Sequence, residues 1–276
     1  MTFDCRLRGI SGASIAVFLF LIPVMASAQG QGKTFHSAQS ANLPTAETIR
    51  GGLWMFEISH RFVPAVSEGS DALWGLDGPV YNRLGVAYGA TDLVMVGLLR
   101  SNLDDNLEFN AKVLAFEGEV AEVRYKTAAM AGAAFNFGVA ESEGVDDNEA
   151  QYYVQVMLNA SIHDRFALGV VPTAFRNPRI KDVHPVNTFA LGLHGQYYAT
   201  GSMSVLTEWV LSRESVDYPH DGVSFGVEIE TRGHFFKILL TNQVRMNPTQ
   251  FLVGTPYDYG GNDWRLGFNI TRLLSF

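Results

Sequence analysis

The chain has 276 residues, of which 47% are hydrophobic, 12% aromatic and only 17% charged. Its net charge is −8 and its pI is near 5.3, which leaves no basic footprint for nucleic acid. The apolar content excludes a disordered chain, and no stretch after residue 30 approaches the ~18 uninterrupted apolar residues of a spanning helix.

Residues 1–28 read as a secretory signal peptide. Arg6 and Arg8 make a basic start, residues 10–25 an apolar run broken by Pro23, and Ala26-Ser27-Ala28 a small-x-small cleavage site. Cys5 is the one cysteine and lies inside this leader. After cleavage the chain therefore has no disulfide, thiolate metal site or cysteine nucleophile. Residues 29–52 are polar and read as a flexible periplasmic segment ahead of a single domain, 53–276.

From Leu53 onward the period is two. Trp54, Phe56, Ile58 and Phe62 alternate with Met55, Glu57, Ser59 and Arg61. Val205, Thr207 and Trp209 alternate with Ser204, Leu206 and Glu208, and Phe236, Ile238 and Leu240 alternate with Phe235, Lys237 and Leu239. Such rows are strands with two different faces. Strands are expected at 53–62, 79–89, 93–101, 107–116, 122–135, 151–161, 165–176, 186–198, 202–212, 222–231, 234–243 and 263–276. Connections after even-numbered strands are short and those after odd-numbered strands long, save 102–106 after the third. That puts short turns on one end and long loops on the other, the layout of an all-β, transmembrane, antiparallel up-and-down β-barrel of about twelve strands. Pro172 lies inside the seventh strand, where it removes a ladder bond and predicts irregular pairing.

In a membrane barrel the bulky apolar face meets lipid and the polar face meets the lumen. The expected lumen lining is Glu57, Arg61, Arg83, Glu108, Lys112, Arg124, Lys126, Glu208, Glu228, Glu230, Lys237 and Arg265. Its mixed signs suit pairing across a narrow interior. Trp54, Tyr88, Tyr152, Tyr197, Trp209 and Trp264 lie near strand ends and suit the aromatic girdles.

The last strand places Trp264, Leu266, Phe268, Ile270, Leu274 and the terminal Phe276 on one face. This row resembles the C-terminal signal of Gram-negative outer-membrane proteins, which the barrel-assembly machinery reads. A closer resemblance lies in 41–49, Ala-Asn-Leu-Pro-Thr-Ala-Glu-Thr-Ile, leading into Phe56-Glu57-Ile58-Ser59-His60-Arg61-Phe62. It continues in Gly75-Leu76-Asp77-Gly78, in 226–231, in Gly233-His234-Phe235-Phe236 and in Gly267-Phe268-Asn269-Ile270-Thr271-Arg272. Together these stretches resemble an outer-membrane β-barrel family known as a domain of unknown function (five-seven-seven-seven), over about Asn42 to Phe276. The chain departs from that pattern after the seventh strand, with Phe175-Arg176-Asn177 in place of a His-Arg-Asn stretch. The resemblance implies a fold and an outer-membrane location, and no activity.

Catalytic patterns are weak. Gly222-Val223-Ser224-Phe225-Gly226 matches G-x-S-x-G but starts a strand with no helix after it, so it lacks the elbow that exposes a nucleophile. Ser161 and His163 straddle a turn, and the seven histidines form no H-E-x-x-H motif. No cofactor, metal or nucleic acid is expected. The expected partners are outer-membrane lipid and the assembly machinery. The expected function is a monomeric, non-enzymatic channel or transport-type barrel with a charged lumen. The alternative is a non-conducting structural or surface-interaction barrel acting through its extracellular loops, among them the acidic run at 141–149.

Overall fold

A computed structural model describes residues 32–138, 150–178, 187–212 and 217–276. The signal peptide, the acidic run at 141–149 and His184 lie outside the described residues. Twelve strands form the wall: β1 (Trp54–Phe62), β2 (Val80–Gly89), β3 (Val94–Ser101), β4 (Asn106–Val120), β5 (Val123–Asn136), β6 (Ala150–Ile162), β7 (Phe166–Arg176), β8 (Asn187–Tyr198), β9 (Met203–Leu211), β10 (Gly222–Thr231), β11 (His234–Thr241) and β12 (Arg265–Leu274). Each pairs antiparallel with its sequence neighbours, and β12 closes on β1, with Trp54 opposite Leu274 and Arg61 opposite Gly267. Closure removes every sheet edge, as hydrocarbon requires.

Side-chain alternation sets which face looks where. Along β7, Phe166, Leu168 and Val170 are exposed on the outside while Ala167, Val171 and Thr173 are buried. The same holds for Phe56 and Ile58 against Glu57 and Ser59 in β1. Aromatic pairs mark both rims: Trp54 with Tyr88 and Phe166 with Tyr197 at the end of the short turns, and Phe225 with Trp264 at the other.

β4 runs to Val120, past the expected 116. Pairing with β5 continues past a register shift between Leu114 and Phe116 as far as Val120 opposite Val123, and the turn shrinks to Ala121-Glu122, with Ala121 at φ 53°. Pairing between β6 and β7 lapses at Pro172: Gln155 pairs with Thr173 and Leu158 with Val170, but the two positions between them carry no pairing. Proline offers no N–H to the ladder there.

The largest departure from the sequence reading is inside. Residues 29–52 were expected to form a flexible segment outside the barrel. Instead, residues 33–49 fold into a hairpin inserted into the lumen from the end of the short turns. Its arms are joined by the amide of Thr45 donating to the Ala38 carbonyl at 3.1 Å and by a bridge between Gln39 and Pro44. Its tip is tightened by the amide of Ser40 donating to Leu43 at 2.8 Å. Asp92, in the β2–β3 turn, holds its base through Thr48 and the amide of Gly51. From the opposite end, the connection after β11 also dips inward: Asn242, Gln243, Met246, Asn247, Phe251 and Leu252 are all buried, the last part built around the helical turn Pro248–Phe251. The two inserts contribute to the same buried core. Leu43 of the hairpin shares one apolar cluster with Phe251, Leu252 and Val253 of the loop and with Met157, Val171 and Val210 of the wall. Burying such a side chain contributes roughly 1.5–3 kcal/mol. The interior is therefore not polar throughout, as the alternation had implied.

Candidate functional site: the occupied lumen

Ten of the expected lining residues are buried: Glu57, Arg61, Arg83, Glu108, Lys112, Lys126, Glu208, Glu228, Lys237 and Arg265. Arg124 and Glu230 sit at the short-turn mouth with their side chains 20% and 27% exposed. Wall strands present them at alternate positions, so each carboxylate or ammonium enters a space already filled by protein. A charge in that setting is costly unless another group pairs with it.

Within the wall, Glu57 pairs with Arg83, supported by Ser59 Oγ donating to Glu57 at 2.5 Å, and Lys237 lies 3.1 Å from Glu228. Tyr153 donates to Glu108 at 2.6 Å. Arg124 reaches Glu119 and Asp164. Arg265 stands at the far rim, bonded to the Val63 carbonyl and stacked on the Tyr257 ring at 3.4 Å.

The remaining charges address the inserts, which the sequence reading did not foresee. Glu208 accepts from the amides of Asn42 and Leu43. Arg61 donates to Asn42 Oδ1 at 2.9 Å and to Asn269 Oδ1 at 2.7 Å. Lys112 donates to the carbonyls of Ala38 and Thr45. Lys126 pairs with Glu47 at 2.9 Å, and Glu47 in turn accepts from the amides of Thr34 and Phe35. At the mouth, His36 lies 2.7 Å from Glu230 and stacks on Tyr198 at 4.1 Å. On the loop side Arg83 also donates to the Met246 carbonyl, and Asn106 bonds Asn247 and Thr249.

Sequence reasoning missed Asn159, Tyr198 and Asn269 of the wall, and every residue of the hairpin. One signal for them was present. Leu206 and Val210 interrupt an inward row with Ser204 and Glu208, Leu239 stands between Lys237 and Thr241, and Val171 lies next to Thr173. In the structure Leu206 and Leu239 pack on Ala41, and Val171 and Val210 join Leu43. Apolar residues on a lumen face need an apolar neighbour, and the hairpin supplies it.

The catalytic patterns do not assemble. Ser224 is buried in the β10 wall with its Oγ 2.8 Å from Thr241 Oγ1. Ser161 is buried, whereas His163 lies in a turn beside Glu122. His194 is buried and stacks on Phe35 of the hairpin at 4.7 Å. His60 faces outward against Phe268. Among the described residues, no group of three or more His, Cys, Asp or Glu side chains is placed to hold a metal ion.

No curated protein matches the chain. Among solved structures, the NanC porin is 10% identical with a TM-score of 0.46, over 81% of this chain and 99% of that one. The KdgM porin is 6% identical with a TM-score of 0.47, over 80% and 99%. Outer membrane phospholipase A from Escherichia coli is 9% identical with a TM-score of 0.41, over 80% and 89%. The family described as membrane bound beta barrel domain (DUF5777) matches residues 35–274, from the lumenal hairpin to the last strand, and the chain belongs to it.

Proposed function

We propose that the protein is an outer-membrane barrel of the channel type, held closed at rest by its own N-terminal hairpin. The observation that carries this reading is the chemistry of the hairpin's seat. Glu208, Lys112, Lys126, Lys237 and Arg61 hold residues 37–47 by hydrogen bonds and ion pairs. These are bonds that water can replace, so a hydrated lumen is an accessible second state of the same wall. A charged lining of this kind tunes which solute passes once the lumen opens.

Export through a leader cleaved after Ala28 belongs to the same reading. So does insertion by the assembly machinery through the row Trp264, Leu266, Phe268, Ile270, Leu274 and Phe276. Phe276 is 91% exposed beyond the end of β12, free to be read. Removal of Phe276 is expected to lower the assembled fraction in the outer membrane, and equal assembly would refute its role. No covalent catalysis is part of this reading.

A second reading, a non-conducting barrel acting through its outer loops, is favoured by the single buried apolar cluster that Leu43 shares with Phe251 and Leu252, to which both ends of the lumen contribute. Planar-bilayer recording separates the two. The full-length protein is expected to be silent apart from rare openings. Leu43→Asp puts a carboxylate into that cluster near Glu208 and is expected to raise open probability about tenfold or more. Silence of both, in protein shown to be assembled, removes the channel reading.

A further inference from the structure

Besides the side-chain contacts of Arg61 and Lys126, the wall addresses the hairpin through its main chain. Glu208 Oε2 accepts from the amides of Asn42 and Leu43, each at 2.8 Å. The amide of Ala46 donates to Asn159 Oδ1 at 2.5 Å. Lys112 Nζ donates to the carbonyls of Ala38 and Thr45 at 3.3 and 3.0 Å. Lys237 Nζ donates to the carbonyl of Gln39 at 2.6 Å, and Asn269 Nδ2 to that of Ala41 at 2.8 Å. All five wall side chains are buried. The hairpin's own side chains along this seat are mostly small: Ser37, Ala38, Ser40, Ala41, Thr45 and Ala46.

Each residue of a peptide carries one donor and one acceptor on its main chain, whatever its side chain. A wall that meets N–H and C=O groups along both arms, and faces mostly small side chains apart from Phe35, Asn42, Leu43 and Glu47, is complementary to polypeptide as a chemical class. A sugar offers hydroxyls, and it has no alternating amides and carbonyls to match these partners.

We propose that the lumen, once the hairpin withdraws, takes a peptide folded back on itself as the hairpin is, rich in small and polar residues and seated through its main chain by Glu208, Asn159, Lys112, Lys237 and Asn269. This rests on the channel reading, because the hairpin must first vacate the seat.

The test uses full-length Leu43→Asp protein in detergent and a fluorescein-labelled synthetic peptide with the sequence of residues 33–49. A peptide of the same composition, scrambled except at Phe35, Asn42, Leu43 and Glu47, whose side chains the wall also holds, and maltohexaose are the competitors. Withdrawal of the hairpin is read in the same sample by maleimide labelling of Ser40→Cys. Leu43→Ala replaces Leu43→Asp if the latter fails to assemble. Both peptides are expected to bind within about threefold of each other and maltohexaose not to compete, because recognition is of the shared backbone. Lys112→Met or Lys237→Met in the same background is expected to weaken binding about tenfold, the effect of a lost charge-assisted hydrogen bond. The wild-type protein, its seat filled, is expected to bind at least about tenfold more weakly than the variant. Three outcomes overturn the proposal: competition by the sugar at peptide concentrations, failure of the scrambled peptide to bind, or absence of binding in protein whose hairpin has left. A hairpin that stays seated in both variants overturns it as well, since no substrate then reaches the site. Binding is read without current. Protein that binds peptide and never conducts refutes the channel reading alone, and protein that conducts without binding peptide refutes this proposal alone.

Discussion

A Cβ placed on Gly192 would lie 2.4 Å from Leu43 Cδ2, so β8 omits a side chain where the hairpin tip packs. Val171, opposite Gly192 on β7, is itself fully buried in the cluster that holds Leu43. The space for the tip is thus built into the wall. Gly192→Ala is expected to leave the barrel assembled but to loosen the hairpin by roughly 1–3 kcal/mol, the usual effect of overfilling a packed site. The rate of maleimide labelling at Ser40→Cys measures this. An unchanged rate would show that the tip does not depend on that space.

Lys126 and Glu47 form the ion pair nearest the hairpin's base, with side chains 8% and 6% exposed. Glu47 also gathers the amides of Thr34 and Phe35 and the hydroxyl of Thr34, so it joins one arm of the hairpin to the other. Lys126→Met leaves that carboxylate buried beside Glu117 with its cation gone. The expected effect is about 3 kcal/mol against the seated hairpin. Limited proteolysis within residues 33–49 should accelerate accordingly. Adding Glu47→Gln to Lys126→Met should recover part of the loss, because the orphaned charge is then removed. If the double variant is cleaved as fast as Lys126→Met, the pair is not what fastens the base.

Much of the wall was legible from local pattern. Alternation marks a strand without reference to any other part of the chain, and β1, β7 and β10 fall within about a residue of the expected bounds, the precision of any such boundary. β4 was cut short because Glu117, Gly118 and Glu119 break the apolar row, while pairing with Lys126, Tyr125 and Arg124 carries the strand on regardless. The hairpin left no local pattern, only the indirect trace of apolar residues on inward rows, for a different reason. Ala41-Asn42-Leu43-Pro44 has no period of two, and what orders it lies 166 residues along the chain, at Glu208. The lining residues were placed on the inward face by period alone. Which of them would pair within the wall, as Glu57 does with Arg83, and which would hold an insert, as Lys112 does, is a property of the closed ring.

Pro172 predicts a local stability defect. The gap between the Gln155–Thr173 and Leu158–Val170 pairs is the length of one missing exchange of hydrogen bonds. Pro172 faces outward, so replacement by valine suits its lipid-side position and restores an N–H. Pro172→Val is expected to stabilise the barrel by about 1 kcal/mol. The unfolding midpoint of the heat-modifiable band should rise, and amide exchange across 155–158 should slow. Faster exchange there would mean that the proline relieves strain in β7.

Arg83 joins wall and outer insert through the two arms of one guanidinium. One Nη donates to Glu57 of β1 and the other to the Met246 carbonyl of the loop after β11. Both members of the ion pair are at most 3% exposed. Arg83→Met strips Glu57 of its cation, leaving Ser59 as its nearest donor, and frees the loop carbonyl at the same time. The expected loss is about 3–5 kcal/mol, the range for breaking a buried pair from one side. Arg83→Lys should rescue little, since one ammonium on a flexible stem does not reproduce a planar fork that spans two partners. The loop reports on this directly: Asn247→Cys, buried in the parent, should label from the outer side in the Arg83→Met background. Glu57→Gln combined with Arg83→Met should restore much of the stability, because no uncompensated carboxylate remains, yet should leave the labelling fast, because the Met246 carbonyl still lacks its donor. Labelling that stays slow in all three variants would show that the Asn106–Thr249 bond and the apolar cluster shared with Leu43 hold the loop without help from Arg83.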